Sequence, residues 1–90
     1  MASKRKIIDS KNIVITEVEA DLNFVYLEWG EIRYCLVFSD GMGCWFFDIS
    51  ESFEMLSDDD IENGYETKED AIEILKQRIA KNINEACLDS

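Results

Sequence analysis

A dense run of carboxylates in the second half of the chain is the feature most capable of chemistry. The stretch "SFEMLSDDDIENGYETKEDAIEIL", residues 52–75, holds three consecutive aspartates, a turn signal and an acidic helix start. Such clusters can bind hard cations such as Ca²⁺, supply acid and base groups, or present negative charge to a partner. The spacing of the residues helps to separate these three roles.

The spacing fits a calcium-binding loop only in part. With Asp58 as the first ligand, Asp60, Glu62 and Glu69 fall on the third, fifth and twelfth positions of such a loop. The sixth position, where the motif needs glycine for a sharp turn, is Asn63, and the preceding segment has the pattern of strand and loop instead of helix. We therefore predict no dedicated metal site, and only weak, adventitious binding of a divalent cation stays open.

Local structure explains the residue types of this stretch, but it does not explain their charge. Ser57 is a suitable cap for a single helical turn that carries the aspartates and ends at Asn63 and Gly64. Between residues 48 and 70, however, ten acids accompany one base, Lys68, so this acidic segment carries −9 of the net charge of −11. Concentrated like charge lowers stability by self-repulsion. The segment is either a solvated face or a face that meets a basic surface.

Catalysis is not supported by the residue types that are present. The chain has no histidine, so the commonest general base and the commonest metal ligand are both missing. It has no nucleophile elbow, phosphate-binding loop, dinucleotide-binding motif or paired-cysteine motif, and "DGMG" at residues 40–43 is typical of a hairpin turn. We predict a protein that is not an enzyme and that has no cofactor.

The elements that must position these residues are four strands and one helix. "NIVITEV", "NFVYLEW", "EIRYCLVFS" and "CWFFDI" are rich in β-branched and aromatic residues, and short links at residues 30–31 and 40–43 predict an antiparallel meander. Residues 67–86 predict a helix that Thr67 caps. Its expected apolar stripe consists of Ile72, Leu75, Ile79, Ile83 and Ala86.

These elements predict one α+β domain of 90 residues, a four-stranded antiparallel β-meander followed by one C-terminal amphipathic helix packed on one face of the sheet. Its parts are a basic N-terminal segment (1–10), the β-meander (12–50), an acidic loop (51–66) and the helix (67–86). The second face also carries apolar residues, namely Cys35, Val37, Cys44 and Phe46. Since one helix covers one face, residues 51–56, the N-terminus, a second subunit or a partner must cover the other.

Cysteine usage and targeting signals predict an intracellular setting. Cys35, Cys44 and Cys87 are odd in number and show no metal-binding spacing, so we expect reduced cysteines that pack as small hydrophobes. A disulfide between Cys35 and Cys44 across the hairpin is the alternative. The N-terminus lacks the apolar core of a signal peptide, and no run of about 18 apolar residues is present, so we predict a cytoplasmic protein that does not contact a membrane.

The net charge of −11 restricts the class of partner. A field of this sign repels nucleic acid and anionic membranes and attracts basic proteins or cations. Arg33 is the only base between Lys11 and Lys68, so the aromatic residues have too few cationic neighbours to form a base-stacking platform. We expect these aromatic residues in the core or at a protein interface: Tyr26, Trp29, Tyr34, Trp45 and Phe47.

Two hypotheses about function follow. The first is a small acidic inhibitor that blocks a basic, nucleic-acid-engaging surface of a partner protein, for example a nuclease. In size, charge and lack of catalytic motifs the chain resembles nuclease-toxin immunity proteins and the nucleic-acid-mimicking inhibitors of phages and mobile elements. The second is a structural or assembly module, a homodimer or a subunit that uses the second sheet face.

The inhibitor hypothesis names its expected contact residues. Alternate residues of a strand lie about 6.6 Å apart on one face, so acids at alternate positions of the first strand are expected to form a regular row of negative charge. Two tryptophans are expected to serve as anchors for the partner. The full set is Glu17, Glu19 and Asp21 in that row, Glu54, Asp58, Asp59, Asp60, Glu62 and Glu66 in the acidic loop, and Trp29 and Trp45.

Overall fold

Four strands that follow one another along the chain form one antiparallel sheet in the computed structural model, which describes residues 8–88 and the side chains up to residue 86. The strands are β1 (Thr16–Val18), β2 (Phe24–Trp29), β3 (Ile32–Ser39) and β4 (Cys44–Phe47), in the order β1-β2-β3-β4. A short helix, α1 (Asp58–Glu62), and a long helix, α2 (Lys68–Leu88), follow. The predicted α+β fold is therefore confirmed, whereas most of the basic segment 1–10 and the side chain of Cys87 lie outside the described residues.

Two glycines allow the tight hairpins of the meander. Trp29 pairs with Ile32, so the β2–β3 link has two residues, and Gly30 adopts a positive φ of 61° that a side chain would disfavour. In the β3–β4 link, Gly43 has a φ of 68°, and its N–H donates to the Ser39 carbonyl at 2.7 Å. Both links are the short connections that the sequence predicts.

The first strand is shorter than predicted. The Asp9 side chain accepts a hydrogen bond from the Lys11 N–H and caps a 3₁₀ turn over Ser10–Asn12, so the extended chain begins only after it. At the other end Glu19 has a φ of 51°, which is incompatible with a strand. β1 therefore spans only Thr16–Val18 instead of all of residues 12–18.

One face of the sheet, the helix face, carries the core. Val25, Leu36 and Phe47 are consecutive partners across three strands, and Leu27 pairs with Tyr34. All five side chains are buried in one cluster with residues of α2. The Tyr34 hydroxyl donates to the Glu54 carbonyl at 2.8 Å, and burial raises the pKa of Tyr34 to about 12. This hydrogen bond ties the segment before α1 to the helix face.

The buried stripe of α2 differs from the predicted one in its small residues. Ala71, Leu75, Ile79 and Ala80 are buried, whereas Ala86 is exposed. The predicted members Ile72 and Ile83 are only partly buried at the margin of the core. The periodicity of large apolar residues missed the two buried alanines, Ala71 and Ala80, which belong to the core cluster.

Gly64 lies beside the outer edge of β4, where Trp45 and Tyr65 form an isolated antiparallel bridge. Their backbone N–H groups each donate to the other residue's carbonyl, at 2.7 and 2.9 Å. A Cβ on Gly64 would lie 2.5 Å from the Cys44 Sγ and 3.1 Å from the Phe46 Cζ. The close approach of Cys44 and Phe46 therefore leaves no room for a side chain at position 64.

Gly64→Ala is expected to lower the free energy of unfolding by about 1–2 kcal/mol, because the methyl group must displace Cys44 or the bridge. The matched control is Gly41→Ala, where an added Cβ meets nothing within 4 Å. Urea unfolding of both variants measures the difference. An unchanged or increased stability of Gly64→Ala would contradict the close contact, since alanine otherwise stabilises by reducing the entropy of the unfolded chain.

Candidate functional site

The acidic segment is held to the rest of the molecule through Asp60. The Arg78 Nε donates to its Oδ2 at 2.8 Å and the Arg78 Nη2 to its Oδ1 at 3.0 Å. The Ser57 N–H also donates to Oδ2, and the Asp60 N–H donates back to the Ser57 hydroxyl, which completes a capping box. The Tyr65 hydroxyl donates to the Asp60 carbonyl at 2.9 Å. One carboxylate therefore caps α1 and joins it to α2.

Burial and pairing remove Asp60 from the expected contact set. Its side chain is 4% exposed, and its hydrogen bonds from Arg78 hold the pKa of the carboxyl below its usual value. The same pairing raises the pKa of Arg78. The expectation that Asp60 faces a partner is therefore wrong, because its two oxygens are occupied inside the molecule.

The other acids of the expected set in this region lie at the surface. Asp58, Asp59 and Glu62 are exposed on α1, and Glu54 and Glu66 are exposed on either side of it. In the described part of the chain, none of these five forms an ion pair within 4.0 Å. These five exposed acids lie on α1 and on the segments that precede and follow it, and we call them the α1 surface.

The predicted row of acids on the first strand does not form. Glu17 lies on β1 opposite Leu27 and makes an ion pair with the Lys68 Nζ at 3.6 Å. Glu19 lies beyond the end of the strand in the left-handed region, and the Asp21 carboxylate accepts a hydrogen bond from the Leu22 N–H. The alternation that placed these three acids on one face ends at Val18, so the prediction of a regular row is wrong.

Trp29 and Trp45 pack against the core and do not stand out from the surface. The Trp45 ring lies 5.3 Å from the Phe38 ring, centroid to centroid, and the Lys68 Nζ lies 5.9 Å from the centre of the Trp45 ring. Both tryptophans flank the helix face, and we do not place them among the contact residues.

The second sheet face, which we call the open face, carries side chains that take no part in the core cluster. The strand register places on it Val18, Phe24, Tyr26, Cys35, Val37, Cys44 and Phe46. Phe24 and Tyr26 meet edge to face at 5.5 Å, and Val37 is 36% exposed. At one edge the Gly64 backbone lies against the Cys44 and Phe46 side chains, and no described helix or strand packs over the rest of this face. Of the covers named above, the later part of residues 51–56 lies on the helix face, because Tyr34 binds the Glu54 carbonyl there and Met55 and Leu56 pack against the core.

Acidic side chains surround the open face. Glu28 pairs with Arg33 at 2.7 Å, and the Arg33 guanidinium lies 5.1 Å from the centre of the Tyr26 ring. Glu28, Glu19 and Glu51 lie near enough to raise the pKa of Arg33. Burial raises the pKa of the Cys35 thiol, with Asp48 and Glu51 adding to the effect. The open face thus combines an apolar centre with a negative surrounding.

The described cysteines are free. Cys35 is buried and lies opposite Tyr26, whereas Cys44 is partly exposed and lies opposite Ser39. Four residues of β3 separate these two levels, which is about 13 Å along a strand, far beyond the reach of a disulfide. The alternative of a bridge between Cys35 and Cys44 is therefore wrong.

The residues of the calcium-loop register do not converge on a common point. Asp58 and Glu62 lie on a helix, and the Asp60 oxygens are bound by Arg78. Among the residues that the structure describes, no group of three or more histidine, cysteine, aspartate or glutamate side chains could hold a metal ion.

An apolar cavity of about 410 Å³ opens beside α1. Its walls are Ile49, Phe53 and Ile61, and two carboxylates, Asp58 and Glu62, also line it. Ile49 is 62% exposed and Phe53 54% exposed, so large apolar side chains face solvent next to unpaired charge. The sequence does not predict this cavity, because Phe53 lies in a loop where no periodic pattern of apolar residues indicates a binding surface.

Arg78 and Tyr65 are the other residues that sequence reasoning missed. No sequence pattern described above assigns a role to Arg78 or to Tyr65. The spacing in the sequence is the one indication of the role of Arg78. Arg78 follows Leu75 by three residues and therefore lies beside the buried stripe of α2, where a long cationic side chain needs an acidic partner.

Comparisons with known proteins give no family: no protein-family model matches the chain, and neither the curated proteins nor the solved structures contain a significant match. Within the described residues, neither helix has the length and apolar content that crossing a bilayer requires.

Proposed function

We propose that this protein is a non-enzymatic binding protein that blocks a basic, nucleic-acid-engaging surface of a partner protein. The observation that carries the proposal is the open face, an apolar sheet surface that no described helix or strand covers beyond the edge at Gly64 and that acids surround. Exposed apolar patches of this kind mark interaction sites on otherwise soluble folds. The negative surrounding selects a basic partner, because complementary charge steers association and apolar contact holds the complex.

The distribution of ion pairs supports a partner of positive charge. The described ion pairs occupy the cations Arg33, Lys68, Arg78 and Lys81. They neutralise only four carboxylates, those of Glu28, Glu17, Asp60 and Glu85. Most acids of the described residues therefore have no ion-pair partner among those residues, and their charge is available to an external cation.

The test is affinity capture from a lysate of the source cells, followed by a functional assay of the captured protein. We expect to capture a basic protein that is released as the salt concentration rises toward about 1 M. At that concentration the Debye length falls to about 3 Å, so the attraction between opposite charges is screened. Adding the acidic protein to the purified partner is then expected to prevent nucleic-acid binding at one to one stoichiometry. A captured partner whose nucleic-acid binding is unaffected would overturn the proposal.

Two variants locate the contact. Val37→Asn keeps the net charge and is expected to weaken binding about tenfold through lost apolar contact at the open face. The triple variant D58N/D59N/E62Q is expected to slow association and to reduce its salt dependence, with E31Q/D40N/E73Q as a control of equal charge change elsewhere. Binding that survives both Val37→Asn and the α1 triple unchanged would contradict a contact at these surfaces.

The open face also favours a second candidate, a homodimer or assembly subunit in which a second copy covers it. Two chains of −11 each repel one another, so a dimer would be favoured by high salt, whereas a basic complex is weakened by it. Light scattering of the purified protein at low and high salt separates the candidates. A stable dimer that Val37→Asn dissociates would favour the assembly module.

A further inference from the structure

The apolar cavity beside α1 has a chemical asymmetry that points to one kind of occupant. Ile49 and Phe53, which are 62% and 54% exposed, together with Ile61 provide an apolar wall. Its volume of about 410 Å³ lies at the small end of ligand-sized pockets. An occupant of this cavity must therefore be small and must carry a substantial apolar body.

The two carboxylates of the cavity exclude a purely apolar occupant. Neither Asp58 nor Glu62 takes part in an ion pair among the described residues, and both are exposed. A neutral apolar group that filled the cavity would remove water from these charges without replacing its hydrogen bonds, which is costly. The occupant must therefore end in a cation.

We propose that this cavity receives an arginine side chain of the basic partner, an inference that rests on the proposed function. The methylene stem of arginine packs on Ile49 and Ile61, and its planar guanidinium stacks on the Phe53 ring and donates to Asp58 and Glu62. Lysine fits less well, since its ammonium is more strongly hydrated and cannot stack or donate as a fork.

The test uses blocked tripeptides with a central residue between two glycines, titrated into the full-length protein and followed by NMR. The arginine peptide is expected to shift the signals of Ile49, Phe53 and Ile61 in a saturable manner. The citrulline peptide has nearly the same shape without the charge and is expected to bind at least about tenfold more weakly. Lysine and leucine peptides complete the series, and both are expected to bind more weakly than arginine.

Variants separate the cavity from general acidity. D58N/E62Q is expected to abolish the preference for arginine over citrulline. D59N/E66Q removes the same charge from the α1 surface outside the cavity lining and is expected to leave that preference intact. Phe53→Ala is expected to weaken the arginine peptide while the Asp60–Arg78 pair and the fold persist, which the NMR spectrum itself reports.

Three results would overturn the arginine site. The leucine peptide could bind as tightly as arginine, which would make the cavity an apolar pocket. Equal loss of the arginine preference in both double variants would make the response nonspecific. The same NMR signals could also shift when the protein concentration is raised in the absence of peptide. That result would mean that a second copy of this chain occupies the cavity.

The failure of this inference is distinguishable from failure of the proposed function. If wild-type protein inhibits a captured basic partner but the arginine peptide produces no cavity shifts, the arginine site falls and the proposed function stands. If the arginine peptide binds as expected but no partner's nucleic-acid binding is blocked, the proposed function falls and the arginine site stands.

Discussion

Replacement of Arg78 by alanine is expected to lower the free energy of unfolding by about 3 kcal/mol, because it leaves the Asp60 carboxylate buried without its cation. The expected loss lies at the lower end for a buried pair, since the Arg78 side chain is 36% exposed while that of Asp60 is 4% exposed. The capping box from Ser57 remains, so α1 itself is expected to persist locally.

Urea unfolding of Arg78→Ala, Asp60→Asn and the double variant measures this effect and its origin. The double variant is expected to be more stable than the sum of the single losses predicts, because an amide needs no counter-charge. The control is Lys81→Ala, which breaks an exposed pair with Glu85 at 4.0 Å and is expected to change stability by less than about 0.5 kcal/mol. An Arg78→Ala variant as stable as the control would contradict the buried pair.

The same pair sets a pH dependence with a definite sign. Arg78 lowers the pKa of the folded Asp60 carboxyl below its unfolded value, which is about 3.9. A lowered folded pKa gives stability that is present above the unfolded pKa and is lost as pH falls through the folded pKa. The stability difference between wild type and Arg78→Ala is therefore expected to shrink as pH falls below about 4. Urea unfolding from pH 7 down to 2 tests this, and a constant difference would contradict it.

Asp60 also shows why sequence patterns predicted the fold better than the site. Short links at Gly30 and Gly43 sufficed to predict the meander, because those turns are specified by neighbouring residues. The capping-box position three residues after Ser57 separates Asp60 from Asp58 and Asp59, but it does not show that the side chain is buried, which depends on an arginine 18 residues away. Three consecutive aspartates therefore differ in environment: Asp60 is buried, whereas Asp58 and Asp59 are exposed to solvent.

The sequence predicts an apolar second sheet face that a single helix cannot cover, since Cys35, Val37 and Phe46 alternate with residues of the helix face. The sequence leaves the possible covers as alternatives, because the choice among them depends on which face of the sheet residues 51–56 cross. The hydrogen bond from Tyr34 to the Glu54 carbonyl places that crossing on the helix face. This contact between residues 20 apart in sequence thus takes the later part of that segment away from the open face.

Leu75→Ala is expected to lower the free energy of unfolding by about 3 kcal/mol, whereas Ile72→Ala is expected to cost about 1 kcal/mol. The periodicity of the sequence treats the two residues as equal members of one stripe. In the structure Leu75 is fully buried between Ala71 and Ile79, while Ile72 lies at the margin of the core. A deleted side chain leaves a cavity only where the surroundings cannot collapse or admit water, so the costs differ.

Thermal unfolding of the two variants reports the rotation of α2 about its axis. Leu75→Ala is expected to lower Tm by at least about 12 °C, and Ile72→Ala by a third of that or less. A larger cost at Ile72 would mean that α2 presents a different side to the sheet. Because Arg78 lies three residues after Leu75, that rotation would also carry its guanidinium away from Asp60. The Arg78→Ala and Leu75→Ala predictions therefore both depend on the same rotation of α2. That rotation also determines whether Arg78 can bind Asp60 and so attach α1 to α2.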